Sequence, residues 1–590
     1  MFEDEITEFA YSTEETTKST EERGFHRRFG FREVELVQEP LPGGKSFYFK
    51  INQVPVFVKG SNWIPADAFE SRVTRESLTP LFRALKDSHQ NMIRNWGGGI
   101  YQHDFFYDLA DENGIMVWQD FMFACNKYAV PSHFLASVAR EVQDTVKRLH
   151  SHPSIVLWAG NNENEGYYKP TDPDVKFYSQ LYFGTVLGNI TALDTTRPRI
   201  GSSPCNGDET EEEPIAANPY SEFFGDIHVY LYNQDCWDVN VYPRPRFMSE
   251  FGLQSWPDFM TISKYVTKEE WSFESAMMMN RQHHPGGQEQ IETMIDMHYK
   301  LPRAESVADF DNMLYLSQVY QAQCVKFEVE FFRRLRSDCP SPDESGCTMG
   351  LMYWQTNDIW PGASWSGIDY DGRYKMLQYY AKKFYQKQTV SGITFKPKTG
   401  EERLQVFGVN DEVDHPIYKA KLIVEGYSWE TGKTGELVKE GVEIKAASSA
   451  LLMDEALSQI LAQLGCQYRQ ECVLQVKLEA RNLKLTNYIP IESYKSAIGM
   501  QDPKLEVKSV TKLHRGGFHV RVSAQNSGAY VWIETAYEGH WSDNGLMWLV
   551  EKGGVEEERS LFFHSAQEGI SESELKKSLK IRSLWDTADY

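Results

Sequence analysis

The chain has 590 residues, with 61 Lys and Arg against 84 Asp and Glu, which gives a formal charge of −23. So acidic a chain has nothing with which to neutralise a run of phosphates, which excludes nucleic acid as a partner. The sequence has no apolar run of the ~18 residues a membrane helix needs. Hydrophobic residues at 41% and charged residues at 25% are ordinary globular values. They provide for about four domains, or fewer where one is a large barrel. Aromatics are high, with 15 Trp, 31 Tyr and 33 Phe. Such a surplus fits a Trp-rich core or a site for flat-faced ligands.

The first residues, FEDEITEFAYSTEETTKSTEE, are acidic and polar, the opposite of a signal peptide, and residues 1–24 read as a solvated leader. The 8 cysteines form no CxxC pair, which excludes a zinc ribbon or a thioredoxin motif. Cys339/Cys347 and Cys466/Cys472 are each close enough for a short-loop disulfide, with reduced thiols an equal reading. Asn189 opens a glycosylation sequon with Ile190 and Thr191.

FREVELVQEP (31–40) and KSFYFKINQ (45–53) alternate like strands. From residue 55 short buried strands alternate with helices. The strands are PVFVKGSNW (55–63), NMIRNWGGG (91–99), IMVWQDF (115–121), SIVLWAGNNENE (154–165), PRIGSSP (198–204), GDIHVY (225–230), RFMSEFG (246–252) and MGLMYWQTND (349–358). Helices are expected at 75–89, near 103–112, at 132–150 with an N-cap Ser, near 175–188, at 309–337 and at 374–387. Eight buried strands with helices between them predict a (β/α)8 TIM barrel over 45–390. A doubly wound sheet would carry a phosphate loop, and WGGG lacks the GxGxxG spacing. Polar and aromatic residues gather just after each strand, where a barrel has its catalytic mouth.

After about residue 390 the pattern turns to period two. Two β-sandwich, immunoglobulin-like modules fit, at 391–486 and 487–590. A helix is expected at 448–464, and 487–503 reads as the linker.

Two glutamates stand at strand ends: Glu163 in WAGNNENE after strand four, and Glu250 in FMSEFG after strand seven. Two carboxylates facing across a cleft are what glycoside cleavage needs, one protonated to give a proton to the leaving oxygen and one ionised to attack the anomeric carbon. For either one alone, a solvated loop Glu is the commoner case.

KGSNWIPAD, MIRNWGGGIY, FYDLADENGIMVWQDFMFAC, HPSIVLWAGNNENE, SEFGLQSWP and YWQTNDIWPGASWS together resemble the β-mannosidases of glycoside hydrolase family 2, above all the animal lysosomal enzymes. The resemblance implies a retaining exo-β-mannosidase acting on β-mannoside oligosaccharides of glycoprotein catabolism in the lysosome, with no metal or cofactor. Glu163 is implied as the acid/base and Glu250 as the nucleophile. Asn162 is implied beside the 2-hydroxyl, and Arg94 as the cation that keeps Glu250 ionised. Trp96, Trp237 and Trp354 are candidates for the sugar platform, and Trp118 is as readily core. Asp120 is a candidate for a sugar hydroxyl, and His228 and Tyr230 end strand six, Tyr230 within reach of the nucleophile. Asp120 and Tyr230 read equally as satisfied groups behind the site. His283 and His284 have no third ligand at a sensible spacing, so no metal is expected there.

The sequence departs from the family before residue 45. There FREVELVQEP reads as the last strand of a truncated sandwich, with no sheet to pair with, so residues 1–44 are expected to be poorly packed or exposed at an edge. A jelly roll that borders the pocket in the family has no counterpart. The alternatives are therefore an exo-β-glucosaminidase or β-galactosidase of the same family, or an inactive sugar-binding fragment.

Overall fold

The computed structural model describes residues 30–303, 306–339, 345–514 and 516–590. The acidic leader, residues 1–24, lies outside the described residues.

All eight predicted barrel strands form: Val58–Trp63, Met92–Asn95, Met116–Asp120, Ile155–Ala159, Arg199–Ile200, Ile227–Val229, Met248–Phe251 and Gly350–Tyr353. They make one parallel sheet in which neighbours in sequence are neighbours in space, the last strand pairing with the first. Strands five and six lie at its two ends. The seam between them is closed by one antiparallel bridge, Cys205 to Asp226, and by Ser203 Oγ donating to Asp226 Oδ2 at 2.6 Å. Buried on both faces, the strands read as continuous apolar runs, which is why the pattern is legible in the sequence.

The helices follow the predicted order. The helix Ser132–Leu149 differs in its cap: Pro131 is the N-cap residue, Ser132 is already helical, and no side chain caps the end. The long helix Val307–Arg334 is buried almost along its whole length. It touches the barrel and both following modules. Arg333 meets Asp411 at 2.7 Å, and Arg582 of the last module meets Asp311 at 3.0 Å.

Val34–Val37 is not an isolated strand. It pairs antiparallel with Tyr48–Ile51, which pairs with Val54–Val56. The alternation in KSFYFKI explains this. Phe47, Phe49 and Ile51 point inward against Trp118 and Phe247 and close the bottom of the barrel. The sheet is built locally, and burial of that aromatic face holds the strand.

The first sandwich has sheets of three and four strands, the second of four and three. Residues 448–464 are not one helix. Ser448–Ala456 is a strand paired with Arg403–Asn410, and only Leu457–Gln463 is helical. Leu, Met and Ala there satisfy either period, and sheet pairing decides. The strand Leu483–Pro490 also runs into the segment read as linker. Both short-loop cysteine pairs are disulfides, and a third, Cys236–Cys324, joins loop to helix. Among the described residues no helix is long and apolar enough to cross a membrane.

Candidate active site

Arg94 stands where strand two ends, with its side chain fully buried at the barrel axis. Its guanidinium donates to Glu250 Oε1, to Asp120 Oδ2 at 2.8 Å, to Asn162 Oδ1 at 2.6 Å and to Asn62 Oδ1 at 3.0 Å. Four strand ends are thus tied by one side chain. Desolvation works against its charge, and Asp120 and then Glu250 more than offset it, so the guanidinium stays firmly cationic. Asp120 also accepts from Trp118 Nε1 at 3.0 Å and from the Gly97 amide at 3.1 Å. Burial pushes its carboxyl up, and Arg94 limits the rise to about 6. Asp120 therefore braces Arg94 from behind.

Glu250 has its second oxygen, Oε2, 2.7 Å from the Tyr230 hydroxyl, which donates to it. His228, from strand six, spans the two glutamates. Its Nδ1 lies 2.8 Å from Glu163 Oε1 and 3.5 Å from Glu250 Oε2. On its other side Nε2 faces Ser203 Oγ at 3.1 Å. Burial lowers the imidazole, but the charge of Glu250 and the bond to Glu163 carry it above its usual value. Burial likewise pushes Glu163 up, while the His228 bond and charge, then Cys125 and Arg94, bring it down to about 2. Both shifts favour the proton of the Glu163–His228 pair on the imidazole.

Trp96 and Trp354 meet edge to face, ring centroids 4.9 Å apart, and both are half-buried at the mouth. The glycines after Trp96 make this possible. A Cβ at Gly98 would lie 2.1 Å from the Trp96 ring, and one at Gly97 would strike the Phe121 carbonyl at 2.7 Å.

Trp237 does not join them. Its indole stacks on His298 at 3.9 Å and abuts Phe327 and Tyr494, between the barrel and the second sandwich. The loop after strand six is long, and the disulfide at Cys236 pins it to the long helix, away from the mouth. Trp118 is core, packed on Phe47, Phe49 and Phe247. Asn189 lies within the helix Gly188–Leu193, half-buried. Its Nδ2 donates to the Thr185 carbonyl and its Oδ1 accepts from Gln143 Nε2. The nitrogen a glycan would take is engaged. His283 and His284 pack against Trp360 and Trp365.

Sequence reasoning missed Asn62 and Cys125, although both lie in quoted motifs. Asn62 donates to the Ser249 carbonyl at 2.9 Å while accepting from Arg94. Cys125 Sγ lies 3.4 Å from Glu163 Oε2. Glu163, His228 and Glu250 each offer an atom, all within 4.8 Å of one another. A metal would compete there with hydrogen bonds these groups already make to one another, to Arg94 and to Tyr230.

Residues 46–275 match the family model for glycosyl hydrolases family 2, TIM barrel domain, and residues 500–587 match an Ig-fold domain, Ig_mannosidase. The chain is 40% identical to a β-mannosidase of Mus musculus, over 94% of this chain and 63% of that protein. It is 41% identical to a β-mannosidase of Capra hircus over the same shares. A crystal structure of a β-D-mannosidase from Dictyoglomus thermophilum superposes with a TM-score of 0.78 at 32% identity, covering 95% of this chain and 64% of that one. The chain thus spans somewhat under two thirds of the length of the proteins it matches.

Proposed function

We propose that the chain, whose barrel matches the glycosyl hydrolases family 2 TIM barrel model, is a retaining exo-β-mannosidase that releases terminal non-reducing β-D-mannose from oligosaccharides of glycoprotein catabolism. The observation that carries the reading is the spacing of Glu163 and Glu250, whose facing atoms lie within 4.8 Å on either side of His228. Carboxyls that close fit the ~5–5.5 Å of a retaining pair and leave no room for the water an inverting enzyme holds between them.

Glu250, ion-paired with Arg94 and aimed by Tyr230, attacks the anomeric carbon. The arriving glycosidic oxygen draws the His228 proton across to Glu163, which passes it to the leaving group. Glu250 loses its charge in the covalent intermediate, and with it goes the leading influence that raises the imidazole. Glu163, again ionised, takes a proton from the water that attacks the anomeric carbon. Mannose leaves, Glu250 is freed, and the proton returns to His228. Trp96 and Trp354 give the sugar an aromatic wall, and Asn162, fixed by Arg94, faces the 2-hydroxyl.

We place this activity in the lysosome. Burial pushes the Glu165 and Glu328 carboxyls up to about 8 each. Folded-state values above the ordinary 4.5 lend stability that is full below that value and lost as pH rises toward 8.

The test is hydrolysis of 4-nitrophenyl β-mannoside beside the β-galactoside and the β-glucosaminide. Preference for the mannoside, abolished in Glu250→Ala, is expected. Faster turnover of either other sugar overturns the assignment.

A further inference from the structure

Of the cysteines, six pair as disulfides, Cys205 is buried, and Cys125 is free and exposed. Its place is set by the backbone. The Cys125 amide donates to the Asn162 carbonyl at 3.0 Å, and Ala124 bridges Asn162 in parallel. Both Cys125 and Glu163 adopt a left-handed backbone, φ 51° and 61°, conformations that side chains other than glycine take up only where the surroundings hold them. The loops after strands three and four are thereby registered, and the thiol meets two groups of the site. Sγ lies 3.4 Å from Glu163 Oε2 and accepts from Asn162 Nδ2 at 3.3 Å. His228 holds the other oxygen of Glu163.

We propose that Cys125 is a positioning residue for the acid/base: its S–H donates to Glu163 Oε2, its sulfur accepts from Asn162, and the thiol thereby fixes the carboxyl plane and the amide beside it. The inference rests on the glycosidase reading above. A thiol suits the place. Although the residue is exposed, its thiol end is partly desolvated, and that first, then the charge of Glu163, push it up to about 12, so it remains a neutral donor. It holds the carboxyl without adding a charge that would oppose protonation in one half-reaction or deprotonation in the other. The charged groups facing Glu163 from other elements are His228, Arg94 and Glu250. Tyr167, Tyr220, Tyr230 and Tyr232 face it as neutral phenols.

Two measurements test this on the full chain. The first needs no substrate. Labelling by iodoacetamide, mapped by mass spectrometry, should fall on Cys125, the thiolate displacing iodide. Removing the neighbouring charge in Glu163→Gln should speed labelling at pH 8 by about 5-fold or more, through the lowered thiol pKa. Equal rates in the two proteins overturn the coupling. The second compares a β-mannosyl disaccharide with the 4-nitrophenyl mannoside, whose good leaving group needs little acid help. Cys125→Ala should cost about tenfold in kcat/KM on the disaccharide and less than about threefold on the aryl mannoside. It should also move the basic limb of the pH profile up by about half a unit, because a donor to the carboxylate is lost. Cys125→Ser should recover most of the disaccharide activity. Equal losses on both substrates, or an unmoved limb, overturn the positioning role. If the unmodified chain turns over no mannoside, the functional reading fails while the labelling result still stands on its own.

Discussion

Glu165 sits two residues beyond the acid/base and is 1% exposed. One oxygen accepts from the Ala216 amide at 2.8 Å, which ties the loop carrying Glu163 to the segment carrying Tyr220. The other, Oε2, has no hydrogen-bond partner among the described residues. Burial first, with the charge of Asp226 adding to it, holds the carboxyl up at about 8 against an ordinary 4.5. Between pH 5 and pH 7 the folded chain therefore keeps this proton while the unfolded chain releases it. At ~1.36 kcal/mol per unit over not quite two units, folding loses about 2.5 kcal/mol through this one group. Glu165→Gln keeps the bond to Ala216 and removes the titration. Urea unfolding at the two pH values should show the variant gaining about 2.5 kcal/mol on the unmodified chain from pH 5 to pH 7. Incubation above pH 8 should inactivate the unmodified chain, because a buried charge then forms beneath the catalytic loop, and should spare the variant. A stability difference that is the same at both pH values would refute the reasoning, since it would place the ionised carboxylate in water or beside a cation.

Arg94→Met should leave Asp120 and Glu250 as two buried carboxyls without their cation. A loss of about a thousandfold or more in kcat is expected, with no rescue by Arg94→Lys, because a single ammonium cannot hold four acceptors in their fork. Retention of a tenth of the activity would show that the nucleophile needs no such partner. Trp354→Ala should raise KM for the aryl mannoside about tenfold, whereas Trp237→Ala should leave KM unchanged and cost about 3 kcal/mol in stability. A KM effect at Trp237 would place substrate at the junction with the second sandwich.

The barrel was legible because its chemistry is periodic. Eight apolar runs, each followed by polar and aromatic residues, can be arranged in few ways once both sheet faces must be covered. The two glutamates and Arg94 were legible for a related reason: strand ends of a barrel converge on one mouth, so counting strands places side chains that are far apart in the chain. Residues 448–464 were misread because Leu, Met and Ala satisfy a helix and a strand equally, and the neighbour Arg403–Asn410 chose the strand. Trp237 was misplaced because sequence shows only that a residue follows a strand. Its loop is long, and the tie through Cys236 to the long helix carries it away from the mouth.

The sequence by itself determined the fold class, the order of the strands and the pair of carboxylates, since these depend on periodicity and on residue type. The tertiary structure alone decided what each site residue touches. Asp120 braces Arg94, His228 spans both glutamates, and Cys125 lies against the second oxygen of Glu163. Contacts of that kind depend on how far each strand-end loop rises and turns. Those distances are fixed by packing between segments distant in the chain, and no local pattern of residues records them.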